Sequence, residues 1–302
     1  MALALAATVT SALQAVVIRY GAVRIDPMLY CTGAVIFAAI CAAILLYHLG
    51  ELRLVFDSRY ALRLCGLAMA GTVMTTLTLV WGLRRIDAIT GVLLMQSEPV
   101  YSLLLSILIM GERPSLRQLL ATTVVLAGIG SVFAGGSFPP LYAAAMVLMT
   151  PLFWQTAHVL SLPVMPPLSP ACITGGRFIY AAVVFVPILL LSSPHSLPTL
   201  ADAHTLIPIA VTGAVCFFLG SITWYAAISR LSLSWTTALV VPGVPLLSTT
   251  LAIVLLGEHA RARELIGIGI AVVGVLTLVL GVDASRKRPA GELAEAIHPS
   301  MS

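Results

Sequence analysis

Charge is what this sequence has least of. Asp, Glu, Lys and Arg make up 9% of its 302 residues, where water-soluble domains carry about 25%. With 60% hydrophobic residues and a mean hydropathy of +1.05, a soluble domain is excluded and a membrane protein is indicated. Period-two alternation is also missing, so the long apolar runs read as helices, each needing roughly 20 residues to cross the hydrocarbon, and not as barrel strands. The five cysteines, Cys31, Cys41, Cys65, Cys172 and Cys216, lie in or beside apolar runs without metal-ligand spacing. They make neither a disulfide framework nor a zinc site and read as lipid-facing or core residues.

Other absences narrow the function. There is no HExxH, no aspartate pair buried in the spans and no Ser-His arrangement at depth, which argues against an intramembrane enzyme. No filter sequence or ring of charge favours a channel, and no glycine-rich phosphate loop favours direct ATP coupling. The net charge of +4 is spread over short loops, with Arg286-Lys287-Arg288 as the one cluster. That cluster reads as a cytoplasmic anchor, and no nucleic-acid partner and no cofactor are expected. Residues 2 to 20 lack a basic leading segment, and Thr8, Thr10, Ser11 and Gln14 interrupt their apolar run. This is read as a retained first helix, not a cleaved signal.

What is present is a duplication. Leu93–Glu112 (LLMQSEPVYSLLLSILIMGE) is echoed by Leu239–Glu258 (LVVPGVPLLSTTLAIVLLGE), 146 positions on, with Pro99 over Pro245, Gly111 over Gly257 and Glu112 over Glu258. The register extends to Arg84 over Arg230 and Gly128 over Gly274. Ten spans are expected, near 2–20, 29–48, 62–83, 89–110, 117–135, 140–162, 170–192, 206–229, 234–256 and 264–282. The fold class is thus an all-α membrane protein with ten transmembrane helices in two five-helix repeats, 1–136 and 137–283, followed by a polar, disordered cytoplasmic tail, 284–302. Five spans per repeat is odd, so the halves are inverted, a design that places substrate at their shared interface. With the N-terminus inside, nine Lys/Arg face the cytoplasm (Arg53, Arg59, Arg63, Arg113, Arg117, Arg230, Arg286, Lys287, Arg288) and six the outside (Arg19, Arg24, Arg84, Arg85, Arg261, Arg263). The bias places both termini inside, in a cytoplasmic (inner) membrane.

The phrases Glu98-Pro99-Val100…Gly111-Glu112-Arg113 and Pro245-Leu246…Gly257-Glu258 are each followed by a glycine-containing helix (Gly128-Ile-Gly130; Gly267-Ile-Gly269 with Gly274). Together they resemble the EamA-type members of the drug/metabolite transporter superfamily, over nearly the whole chain. The resemblance implies a ten-helix inverted-repeat carrier moving small organic solutes, often outward, through a central cavity. Met95-Gln96-Ser97-Glu98-Pro99 also looks like the corresponding helix of the threonine/homoserine exporter branch. Two departures leave the substrate class open: the first helix has Leu13-Gln14-Ala15 where Trp-Gly is usual, and the second has Ala34 where its repeat partner has Arg177.

Glu98 is the leading functional candidate. It lies about nine residues from either end of its span, roughly 14 Å deep, where a carboxylate costs about 2.5–3.5 kcal/mol on insertion scales. Glu98, Ser102 and Ser106 share a helix face, with Tyr101 beside them. The carboxylate either binds a substrate ammonium or a proton, or packs neighbouring helices. Pro242-Gly243-Val244-Pro245 is expected to be the most broken helix, with unwound backbone facing substrate or a kink serving packing. Trp154, Gln155 and His158, Trp224 and Tyr225, and Thr72, Thr75 and Thr76 recur at helical spacing. They are either cavity walls with polar edges or core residues whose hydroxyls bond their own helix. Arg177 either snorkels to a helix end or makes an anion contact or a pair with a carboxylate, and Gln14 is open in the same way. Gly111-Glu112 and Gly257-Glu258 read as helix terminators whose glutamate precedes the next helix, with gating as the second reading.

The function expected is secondary transport of small organic solutes by alternating access, with export of amino acids or related metabolites first. Hydrophobic cationic drugs come second, sugars or nucleotide conjugates third, and a channel or membrane scaffold is the rival class. Partners are the small-molecule substrate, the lipid bilayer and candidate protons; monomer and homodimer are both left open.

Overall fold

A chain with so few charges must satisfy its backbone within its own helices, and among the described residues all regular structure is helical. The computed structural model describes residues 2–111, 114–133, 139–164, 167–224 and 233–286. Helix α1 spans Ala2–Arg24 and α2 Pro27–Leu49. Then come α3 Ser58–Leu83, α4 Ala88–Ile109, α5 Leu116–Phe133, α6 Leu141–Ser161, α7 Pro170–Ser192 and α8 Ala203–Trp224. The ninth, α9, runs Leu233–Leu251 and continues as a π segment Ala252–Leu256; α10 is Ala262–Arg286. Among the described residues the eight helices α1 to α8 are long and apolar enough to cross a membrane.

Polar residues at the loops set where these helices begin and end. Asp26 accepts from the Met28 and Leu29 amides, both at 3.0 Å, with Pro27 at the first helical position of α2. Asp57, Asp87, Ser169 and Asp202 start α3, α4, α7 and α8 in the same way. Gly111 and Gly257, one per half, both adopt φ 67°, the left-handed geometry that stops a helix and that a side chain would strain. The terminator role read from the sequence holds for both glycines.

Besides the π end of α9, three helices are interrupted along their length. A π segment interrupts α3 at Met69–Met74 and another interrupts α8 at Val211–Leu219, so the third helix of each half carries one. Helix α4 breaks at Gln96-Ser97, between Ala88–Met95 and Glu98–Met110. Pro99 has no amide for the Met95 carbonyl, and the Val100 amide turns to Ser97 at 3.0 Å instead of reaching Gln96. The break expected at Pro242–Pro245 is absent: α9 is helical through all four residues. There the helix is held against α1, since the Ser248 hydroxyl donates to the Ala12 carbonyl at 2.8 Å and Gly243 abuts Thr8. Thr249 donates to the Pro245 carbonyl at 2.7 Å. A proline bends a helix only where tertiary contacts do not hold it straight.

The halves join along small residues. A Cβ on Gly128 of α5 would lie 2.6 Å from the Gly267 carbonyl of α10, and one on Gly274 would lie 2.9 Å from the Val125 amide. Gly130 and Gly269 face open space, so the close contact is made by Gly128, Gly267 and Gly274. Elsewhere a buried Tyr30 hydroxyl donates to the Val17 carbonyl at 3.0 Å and lies 2.5 Å from the Thr212 hydroxyl, tying α2 to α1 and α8. The ends of α1, α3, α4 and α9 and the start of α10 meet at one face of the bundle, joined by Arg19, Glu258 and Glu264.

The α5–α10 contact gives a direct test. Gly128→Val should lower stability by about 1–3 kcal/mol, read as a lower melting temperature in detergent. Gly130→Ala, in open space, should leave the melting temperature unchanged or raise it.

Candidate substrate site

The break in α4 places Glu98 at the first turn of the Glu98–Met110 segment, ten positions after Ala88 in a span of 22 residues. Its carboxylate therefore sits near mid-span and at the positive end of a helix dipole. The Gln155 amide of α6 donates to Glu98 Oε1 at 2.8 Å. Glu98 is half-buried and His158 is exposed. Gln155, Trp154 and Tyr101 are half-buried around the same corner of α4 and α6. The serine stripe does not extend this polar face inward: Ser102 is exposed, and Ser106 donates to its own Leu103 carbonyl at 3.3 Å.

Arg177 of α7 does not run to a helix end. Its Cδ and Nη1 lie 3.3 and 3.5 Å from where a Cβ on Gly71 would be, with Ala157 of α6 on the same spot. Gly71 is thirteen positions into the 26-residue α3, so the guanidinium reaches mid-span. It lies 5.2 Å from the Phe178 ring centre. The snorkelling reading is overturned, because the glycine in the α3 π segment leaves room for the side chain to turn inward.

The remaining candidates divide. Thr75 is buried and donates to the Gly71 and Thr72 carbonyls at 2.8 and 3.1 Å, and Thr76 is buried with its carbonyl facing the Cys31 thiol. Thr75 thus bonds its own helix backbone. Trp224 packs with Ala7, Val240 and Val244 in an apolar cluster between α1, α8 and α9. Gly243 meets Thr8, and Pro245 is buried against the same helix pair. Gln14 is half-buried on α1. Tyr225 and the Pro242 side chain lie outside the described residues. The sequence reading missed Gln96 and Ser97, both buried at the break; Pro99 four residues after Met95 was the signal for it.

The sequence profile of the EamA-like transporter family matches residues 1–134 and 141–280. The chain belongs to that family. A probable terminal-alkyne amino-acid exporter of Streptantibioticus cattleyicolor is 28% identical over 240 residues, covering 78% of this chain and 76% of that protein. An uncharacterized protein of Pseudomonas aeruginosa is 32% identical over 203 residues, covering 67% of this chain and 68% of the relative. One protein crystal structure superimposes with a TM-score of 0.65 at 17% identity, over 95% of this chain and 98% of that one, a likeness of fold.

Away from the site, Glu258 fastens the halves of this transporter together. It was expected to serve the helix that follows it, yet its two oxygens accept from the Ala88 and Ile89 amides of α4 at 2.9 and 3.2 Å. Arg19 of α1 lies 3.7 Å from the same carboxylate and donates to the Leu83 carbonyl at 2.7 Å. The start of α10 is served by Glu264, which accepts from the Arg261 amide at 2.9 Å and from Thr90 at 3.0 Å. Glu112 lies outside the described residues.

Burial pushes the Glu258 carboxyl above the ordinary glutamate range, against the pull of the two amides and Arg19, with Asp87 adding to the rise. A raised folded-state value means that the folded protein holds this proton more tightly than the unfolded chain. The group's contribution is then full at low pH and is lost as pH rises through the raised value. Glu258→Ala should cost about 0.5–2 kcal/mol through loss of the α4 cap. The wild type should lose stability relative to Glu258→Gln as pH climbs above the ordinary carboxylate range, both read by thermal unfolding in detergent.

Proposed function

We propose that the protein is a secondary transporter that exports amino acids or closely related amino-bearing metabolites across the inner membrane. Ten spanning helices in two inverted repeats, 1–136 and 137–283, would alternate access to a central site, with both termini cytoplasmic and the tail from 284 beyond the bundle. The observation that carries the substrate class is the mid-span Glu98 carboxylate, half-buried and oriented by Gln155. An anionic group in that position suits a small solute with an ammonium. Trp154 and Tyr101 would supply apolar walls with hydrogen-bonding edges. The name of the S. cattleyicolor relative, a probable amino-acid exporter, supports the same reading.

The test uses the purified full-length protein in liposomes, with a panel of labelled amino acids and an organic cation, with and without a pH gradient. Amino-acid counterflow is expected. Glu98→Gln should reduce its initial rate by about tenfold or more, the loss of a hydrogen bond to a charged group. Gln155→Leu should reduce it less. Dependence on the gradient identifies proton exchange, and counterflow without one identifies facilitated diffusion. Transport of the organic cation with no amino-acid signal would sink the amino-acid reading.

A further inference from the structure

The polar junction at one face of the bundle lies between two helix pairs, each held together by contacts of its own. In the first pair, α1 and α9 are joined by the Ser248 hydroxyl on the Ala12 carbonyl and by Gly243 against Thr8. In the second, the Thr90 hydroxyl of α4 donates to Glu264 of α10 at 3.0 Å. Glu258 and Arg19 belong to the first pair and reach out of it. Glu258 accepts the Ala88 and Ile89 amides of α4, and Arg19 donates to the Leu83 carbonyl at the end of α3.

This junction is built to come apart. Without it each side keeps a partner: the Glu258 carboxylate has Arg19 at 3.7 Å on its own pair, and α4 has its Asp87 cap, which accepts from the Thr90 amide at 2.7 Å. The side chains of Arg19 and Glu258 retain 24% and 13% of their accessible surface, so water can reach the groups that separate. The α5–α10 contact is of the other kind, backbone against backbone at Gly128 and Gly267. Both moving parts are also freed from their helices. Glu258 follows the π segment and left-handed Gly257 at the end of α9, and the start of α4 is separated from the rest by the break at Gln96-Ser97. Helix α9 packs against Ala88–Met95, whereas Glu98–Met110 packs against α5 and α6.

We propose that Glu258 on the start of α4 is the gate of this face: for solute to pass, the carboxylate leaves the Ala88 and Ile89 amides and the α1–α9 pair parts from the α4–α10 pair. This rests on the alternating-access reading above, in whose orientation the face is the outer one. The conformation described is the closed one.

One measurement needs no substrate. Full-length protein with Cys41 and Cys65 replaced by alanine keeps Cys31, Cys172 and Cys216, all buried, as internal controls. In that background Ile89→Cys, at a position 1% exposed, should react slowly with a maleimide in detergent. Adding Glu258→Ala should speed the reaction about tenfold or more, the loss of hydrogen bonds to a charged group, and leave the three controls unreactive. Unchanged labelling at position 89 would overturn the gate, and so would an equal rise at the controls, since that is a general loosening of the fold. The second measurement is transport in liposomes by an Ala88→Cys, Glu258→Cys double variant in the same background. Oxidation to the disulfide should lower counterflow about tenfold or more, and reduction should restore it. Cross-linked protein that transports as fast as the reduced form would make the junction a static fastening and sink the proposal. If wild type carries no solute of the panel, the transport reading fails, and the labelling ratio still decides whether this face opens at Glu258.

Discussion

A polar group without a partner is costly in hydrocarbon, and each irregular feature of this protein can be traced to how that cost is met. Helix α4 breaks where Pro99 withdraws an amide from the ladder, and the Ser97 carbonyl takes up the Val100 amide displaced by the break. The break turns Glu98 into the first residue of a new helical segment, so the carboxylate meets a dipole end as well as the Gln155 amide. The π segment of α3 brings Gly71 against Arg177. The break in α4 and the π segment of α3 each lie next to a charge.

The duplication makes these departures interpretable. Both halves keep the left-handed glycine at the end of their fourth helix and a π segment in their third. Those shared features belong to the scaffold. The differences are concentrated in the chemistry: charge at Glu98 and Arg177 in one set of helices, and apolar packing at Val244 and Ala34 in the other. A scaffold repeated twice with charge on one set of helices is symmetric in backbone and asymmetric in chemistry.

Much of the scaffold was legible because it depends on local rules. Helix starts follow from aspartate and serine caps, and helix ends from Gly111 and Gly257. What the sequence could not resolve were choices made by tertiary neighbours. Pro99 and Pro242–Pro245 are alike as local signals, and the helix with more prolines is the one that stayed continuous, held by Ser248 and Gly243 against α1. Arg177, one-third of the way into its span, was equally able to run outward or inward until Gly71 was placed beside it. Glu98 and Gln155, both singled out in the sequence, are in contact, whereas Trp224, chosen on the same helical spacing, belongs to an apolar cluster.

Glu258 carries that point further. A glutamate after a helix-ending glycine looks like a cap for the next helix, and the charge–dipole logic is right. The helix it serves is nevertheless α4, some 170 residues earlier in the chain. Two amides and Arg19 converge on one carboxylate, so the end of α9, the end of α1 and the start of α4 are fastened at one face of the bundle. Glu98 lies ten positions further along α4 from that fastening. The position of the Glu98 carboxylate is thus set from both sides, by Glu258 at the helix start and by Gln155 at the break. Holding α4 at its end leaves its middle to bend, and the bend is where the polar chemistry sits.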